Sequence, residues 1–278
     1  MDVDRSERKR PPSRLLRAEA VVLQRTTKLL VVLDRVNDPH NMAACMRTIE
    51  AFGVQQVWVV SAPLAKRKRS AQVIAKGAEN WLSVRRFNTP AECATALKAS
   101  GWSIWIASDD SDDAIALTSG SSMVAPEKLA LVVGREADGV SPELCSAAHE
   151  RCYVPLVGFT TSLNLSVATG LLVHSLFDRF PSLRAKATDE ERTSIRKAWR
   201  PHLAKTEESK LKLATFLDDF EEGVMQDSHG AHSRSSTIAS GSWAPKDIRR
   251  QEVEEEQRQA NKKNDTHHSG LSSSSEHQ

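Results

Sequence analysis

No apolar run in this chain approaches the ~20 residues a helix needs to cross a bilayer, so a membrane span is not expected. The opening stretch, Met1 to Arg10, lacks the apolar core of a secretory signal, and its acidic residues argue against an organelle transit peptide. A cytoplasmic protein is the expectation. Only four cysteines occur, Cys45, Cys93, Cys145 and Cys152, and none forms a C-x-x-C pair. Clustered thiolates or imidazoles of the kind zinc needs are missing, so no metal is expected and the thiols read as reduced core residues. After the first apolar run there is no G-x-G-x-x-G and no acidic residue at the ribose position, which excludes an ordinary nicotinamide enzyme.

What is present is an alternation. Short apolar runs rich in β-branched residues, Lys28–Leu33, Gln56–Val60, Leu82–Arg85, Trp102–Ala107, Leu129–Val133 and Arg151–Val154, read as strands. Between them lie helical stretches at 42–52, 71–76, 91–99 and 142–149, and a longer one runs over 164–180. Gly53 is a good helix stop. Strands alternating with helices predict an α/β fold, a mostly parallel sheet with helices on both faces. The chain divides into a basic arm and helix (1–27), the sheet domain (28–181), a charged helical extension (182–222) and a low-complexity, disordered tail (223–278) with a short helix around 247–259.

Net charge is only +2, but it is unevenly placed. The basic residues at 14–25, Lys66-Arg-Lys-Arg69 and the helix around 196–205 are candidates for phosphate contacts.

Three segments place polar residues where an apolar run meets a helix. They are Asn41-Met-Ala-Ala-Cys-Met-Arg47-Thr48, Val133-Gly-Arg-Glu136-Ala-Asp-Gly139 and Ser162-Leu-Asn164-Leu-Ser-Val-Ala-Thr-Gly170. In an open α/β sheet such junctions share the edge where ligands bind, so the three predict one composite site. Asn41, Ser162 and Asn164 are of helix-capping type, and Asn41 is expected to cap the helix it precedes. Gly134 and Gly139 permit tight turns and close approach to a ligand. Glu136 between them could bind a backbone amide or orient an arginine.

In this order the segments resemble the SpoU/TrmH-type RNA ribose 2′-O-methyltransferases of the SPOUT superfamily, over about Thr27 to Phe180. Leu33-Asp-Arg-Val-Asn-Asp-Pro-His-Asn41 and Lys76-Gly-Ala-Glu-Asn-Trp81 support the match. The resemblance implies S-adenosylmethionine as cofactor, a homodimer and a C-terminal trefoil knot. It implies a catalytic set of Asn41, Arg47, Glu136, Ser162 and Asn164, with Ser108, Gly134, Val154 and Leu163 at the cofactor. Val154 to Val157 would supply apolar walls for the adenine. Arg47 would either accept the ribose proton or clamp the phosphate and polarise the hydroxyl, since a guanidinium normally stays protonated. The short N-terminal arm and helical extension resemble the tRNA branch, whose target is guanosine 18 of the D-loop. The alternatives are rRNA, another tRNA position, or a catalytically silent RNA-binding protein. The intact polar set weighs against silence.

Overall fold

The computed structural model describes residues 11–61, 77–108, 112–117, 124–135, 137–204 and 206–223, without the side chains at 212 and 215. Glu136, the Lys66 cluster, the expected helix at 71–76 and the expected tail lie outside the described residues. The elements are α1 (Ser13–Val22), β1 (Thr26–Asp34), α2 (Pro39–Ala51), β2 (Val54–Val60), β3 (Ser83–Phe87), α3 (Pro90–Ala99), β4 (Ser103–Ala107) and β5 (Ile115–Ala116). They continue with β6 (Leu129–Val133), α4 (Pro142–Ala147), β7 (Glu150–Tyr153), α5 (Leu165–Arg179), α6 (Asp189–Leu203) and α7 (Glu207–Glu222). No helix among the described residues is long and apolar enough to cross a membrane.

The seven strands form one parallel sheet in the order β3-β2-β1-β6-β4-β7-β5. The expected parallel α/β sheet is met, and β5, only two residues long, is the strand that pattern reading did not find. Central strand β1 shows why an unbroken apolar run suits this place. Leu29, Val31 and Leu33 point to one face and pack with α2 and α5. Leu30 and Val32 point to the other and pack with α3 and α4. Both sets are fully buried. The strand order runs outward from β1 in one direction and from β6 in the other. The carboxyl ends of β1 and β6 therefore flank the switch point of the sheet, the usual ligand crevice of this architecture.

Helix α2 starts three residues earlier than its periodicity suggests. Pro39 takes the first helical position, where its missing N–H costs nothing. The cap is Asp38, whose carboxylate accepts from the His40 N–H at 2.9 Å. Asn41 is thus inside the first turn, and its expected capping role is corrected. The stop at Gly53 is as expected, with φ of 80°.

Helices α1, α6 and α7 share a separate apolar cluster of Leu15, Val22, Ile195, Trp199, Leu203 and Phe220. Two arginines expected to face phosphate are consumed here. Arg25 is fully buried, lies over the Trp199 ring, and donates to the Glu50 carboxylate at 2.5 Å and to the Val54 carbonyl at 3.2 Å. Burial lowers its pKa and the Glu50 charge opposes that shift. Arg196 is buried against Glu19, with two bonds of 2.8 and 2.5 Å. Buried and paired, neither can reach a nucleic acid, and a basic residue in a sequence carries no mark of such enclosure. Removing one partner of such a pair strands a buried charge. Glu50→Ala is expected to lower unfolding free energy by about 3 kcal/mol, read by urea denaturation.

Candidate active site at the carboxyl edge of the sheet

Two of the three polar segments meet directly. Asn164 caps α5: its side-chain oxygen accepts from the N–H and hydroxyl of Ser166, each at 3.0 Å. Its amide nitrogen donates to the Asn41 side-chain oxygen at 3.1 Å, across 123 residues of sequence. One side chain thus starts α5 and ties it to the first turn of α2.

The helices then cross closely. Thr169 donates to the Cys45 sulfur at 3.7 Å, and a Cβ at Gly170 would lie 3.2 Å from the Thr48 methyl. Arg47 lies between those contact positions on the α2 sequence, is exposed, and has no ion-pair partner among the described residues. A free guanidinium beside a polar helix junction can take a phosphate or an oxyanion. Asn164→Ala removes both the cap and the tie, and is expected to cost about 1–2 kcal/mol of stability by thermal unfolding.

The third segment leaves the end of β6. Gly134 is buried, and a Cβ there would fall 2.1 Å from the Gly139 carbonyl carbon and 2.4 Å from the Val140 nitrogen. The loop doubles back on itself at this point, with the Gly139 N–H donating to the Arg135 carbonyl at 3.0 Å. Asp138 accepts from Arg135 and, at 3.1 Å, from Arg35. The Arg135 hydrogen bond, more than any other cause, holds the Asp138 carboxyl below its ordinary range. Any loop order this pair supplies is present above the usual carboxylate range and lost only as pH falls through the lowered value. Arg135, to which the sequence suggested no role, is a structural partner of the loop.

The remaining expected residues occupy the same edge. Ser108 follows β4 and its N–H donates to the Cys152 carbonyl at 3.0 Å. Val154 follows β7 and packs on the core, and Leu163 is half-buried in the loop before α5. Ser162 is exposed, and neither it nor Leu163 caps the helix. The expected apolar walls are only partly there: Leu156 and Val157 point to solvent. Cys45, Cys93 and Cys152 are buried and form no disulfide among the described residues, and burial pushes the thiols of Cys93 and Cys152 up to about 12, so these two behave as core residues.

Residues that pattern reading passed over complete the edge. Asp34, the last residue of β1, is fully buried and accepts from the Ser141 N–H at 2.7 Å. Arg35 follows it with φ of 55°. A charged pair closing an apolar strand was the available signal.

A flat heteroaromatic group is well served by main-chain donors and acceptors between apolar surfaces. The ends of β4, β6 and β7 bring main-chain groups to this edge, and Val154 follows β7 there. The adenosyl part of S-adenosylmethionine fits this donor set, which asks for no counter-charge.

Fold and edge are those of α/β proteins whose ligands bind at the carboxyl ends of a parallel sheet. The chain belongs to the SpoU rRNA Methylase family, which it matches over residues 28–174. It is 28% identical over 193 residues to the tRNA (guanosine(18)-2′-O)-methyltransferase of Aquifex aeolicus, covering 67% of this chain and 88% of the relative. It is 29% identical over 163 residues to the Escherichia coli K12 protein of the same name, covering 59% and 69%. The fold is similar to the crystal structure of the A. aeolicus TrmH/SpoU tRNA modifying enzyme, with a TM-score of 0.57 and 27% identity over 69% of this chain and 98% of that one.

Proposed function

We propose that this protein transfers a methyl group from S-adenosylmethionine to the ribose 2′-oxygen of a guanosine in tRNA, guanosine 18 of the D-loop. The observation that carries the reading is the meeting of Asn41 and Asn164 at the α2–α5 junction, on the helix that carries the exposed Arg47. The similarity to two enzymes named for guanosine 18 supports the substrate.

The bound cofactor supplies an electrophilic methyl group on a sulfonium, and the protein's work is alignment and electrostatics. Main-chain groups near Ser108, Gly134 and Leu163, together with the Val154 side chain, would hold the adenosyl part. Asn41 and Asn164 fix the start of both helices, and Ser162 lies on the approach to them. Glu136 belongs to the same site by its place between Gly134 and Gly139. A guanidinium keeps its proton near neutral pH. Arg47 therefore binds the phosphate beside the target ribose and stabilises negative charge on the 2′-oxygen as its proton passes to solvent water and the oxygen takes the methyl group.

The reading includes a cytoplasmic homodimer. The exposed Leu156, Val157, Phe159, Val167 and Leu171, from the segment before α5 and from α5 itself, supply an apolar face for the second copy. It also includes the knot, in which the C-terminal part of the chain threads through a loop, and the four-part division of the chain given above.

The test is label transfer from S-adenosylmethionine carrying a tritiated methyl to unmodified tRNA transcripts and, in parallel, to rRNA. Label on the D-loop guanosine of tRNA is expected. Label on rRNA alone would replace the substrate, and cofactor binding without transfer to any RNA would make the protein an RNA-binding one.

A further inference from the structure

Arg35 is the one non-glycine residue with a left-handed backbone among those described, at φ 55°. Residues with a Cβ avoid that region, and one persists there only where its surroundings fix it. Its surroundings do so. The Arg35 N–H donates to the Val60 carbonyl at 2.9 Å. Its guanidinium donates to the Asp138 carboxylate at 3.1 Å and to the Gly139 carbonyl at 3.2 Å. Its Nε stands 3.4 Å from the Asp34 carboxylate.

Asp34 works on the same segment. It is fully buried, and one carboxylate oxygen takes the Ser141 N–H at 2.7 Å. The other oxygen has no hydrogen-bond partner among the described residues, and neither has the buried Ser141 hydroxyl. A buried carboxylate so sparsely bonded draws its compensation from the adjacent guanidinium. Two consecutive residues at the end of β1 thus grip residues 138–141, the return limb of the loop that leaves β6 at Gly134. Neither belongs to an apolar core cluster.

We infer that Arg35, backed by Asp34, is a positioning residue that sets the affinity for S-adenosylmethionine. It holds the return limb against Gly134, so the loop's main-chain groups are in place before the cofactor arrives. A loop ordered in advance loses less freedom on binding. The inference rests on the function proposed above.

Arg35→Gly separates the two roles the residue could have. Glycine accepts φ 55° without strain, so the backbone is kept and the guanidinium is lost. Calorimetric titration of the full chain with S-adenosylmethionine is expected to show Kd raised about tenfold or more, with Tm lowered as well because the buried Asp34 charge loses its partner. KM for the cofactor should rise in step while KM for RNA stays within about twofold. Asp34→Asn should raise Kd in the same direction, and the double variant should show less than the sum, since both act on one limb. An unchanged Kd in Arg35→Gly overturns the inference and leaves the proposed function standing. So does a lowered Tm with unchanged Kd, which would make Arg35 a fold anchor only. Failure of the wild-type protein to bind the cofactor overturns both.

Discussion

Arg47→Ala is expected to lower kcat for methyl transfer about 100- to 1000-fold, the usual effect of removing one group that stabilises charge in the transition state. Arg47 is exposed, and its helix is held by Met42, Cys45, Met46 and Ile49, which are buried in the core. The variant should therefore fold and melt like the wild type, with cofactor affinity unchanged. A residue that merely binds RNA would raise KM for tRNA and leave kcat alone. Single-turnover kinetics at saturating tRNA distinguish the two. Arg47→Lys should recover little, because a compact ammonium cannot bridge phosphate and hydroxyl as a planar fork does.

Gly134→Ala is the second large effect. The added Cβ would stand 2.1 Å from one backbone atom of Gly139, 2.3 Å from another and 2.4 Å from the Val140 nitrogen. No side chain can move to relieve this, so the loop must leave its turn. A cost of about 3 kcal/mol is expected, with Tm lower by about 6–12 °C. Binding of S-adenosylmethionine should be lost over the range where the wild type saturates. Gly139→Ala provides the contrast. Its φ is 64°, but nothing lies within 4 Å of the new Cβ. The expected cost is only the left-handed strain, about 1–2 kcal/mol.

The central strands could be read from sequence because their burial leaves little choice of residue. A run such as Lys28–Leu33 is unbroken since both faces of β1 are covered. Gly53 and Asn164 were legible for a related reason, as a left-handed stop and a cap admit few residue types. Of the three junctions that the sequence offered, two meet in the Asn41–Asn164 bond. The start of α2 was misplaced because Asp38 and Asn41 are both good caps, and only Pro39 at the first helical position decides between them. Arg25 and Arg196 were misjudged for a deeper reason. Their partners, Glu50 and Glu19, lie 25 and 177 residues away, and pairing at such a distance leaves no local pattern. The grip of Asp34 and Arg35 on residues 138–141 was hidden in the same way.

The central claim is that the protein methylates a ribose oxygen of tRNA. The direct measurement uses two tRNA transcripts that differ at one atom, the D-loop guanosine carrying either its 2′-hydroxyl or hydrogen. Each is incubated with the full chain and labelled S-adenosylmethionine, and the nucleosides are separated. The account predicts label as 2′-O-methylguanosine from the first transcript and none from the second. Equal label from both would place the methyl group elsewhere on the tRNA and contradict it.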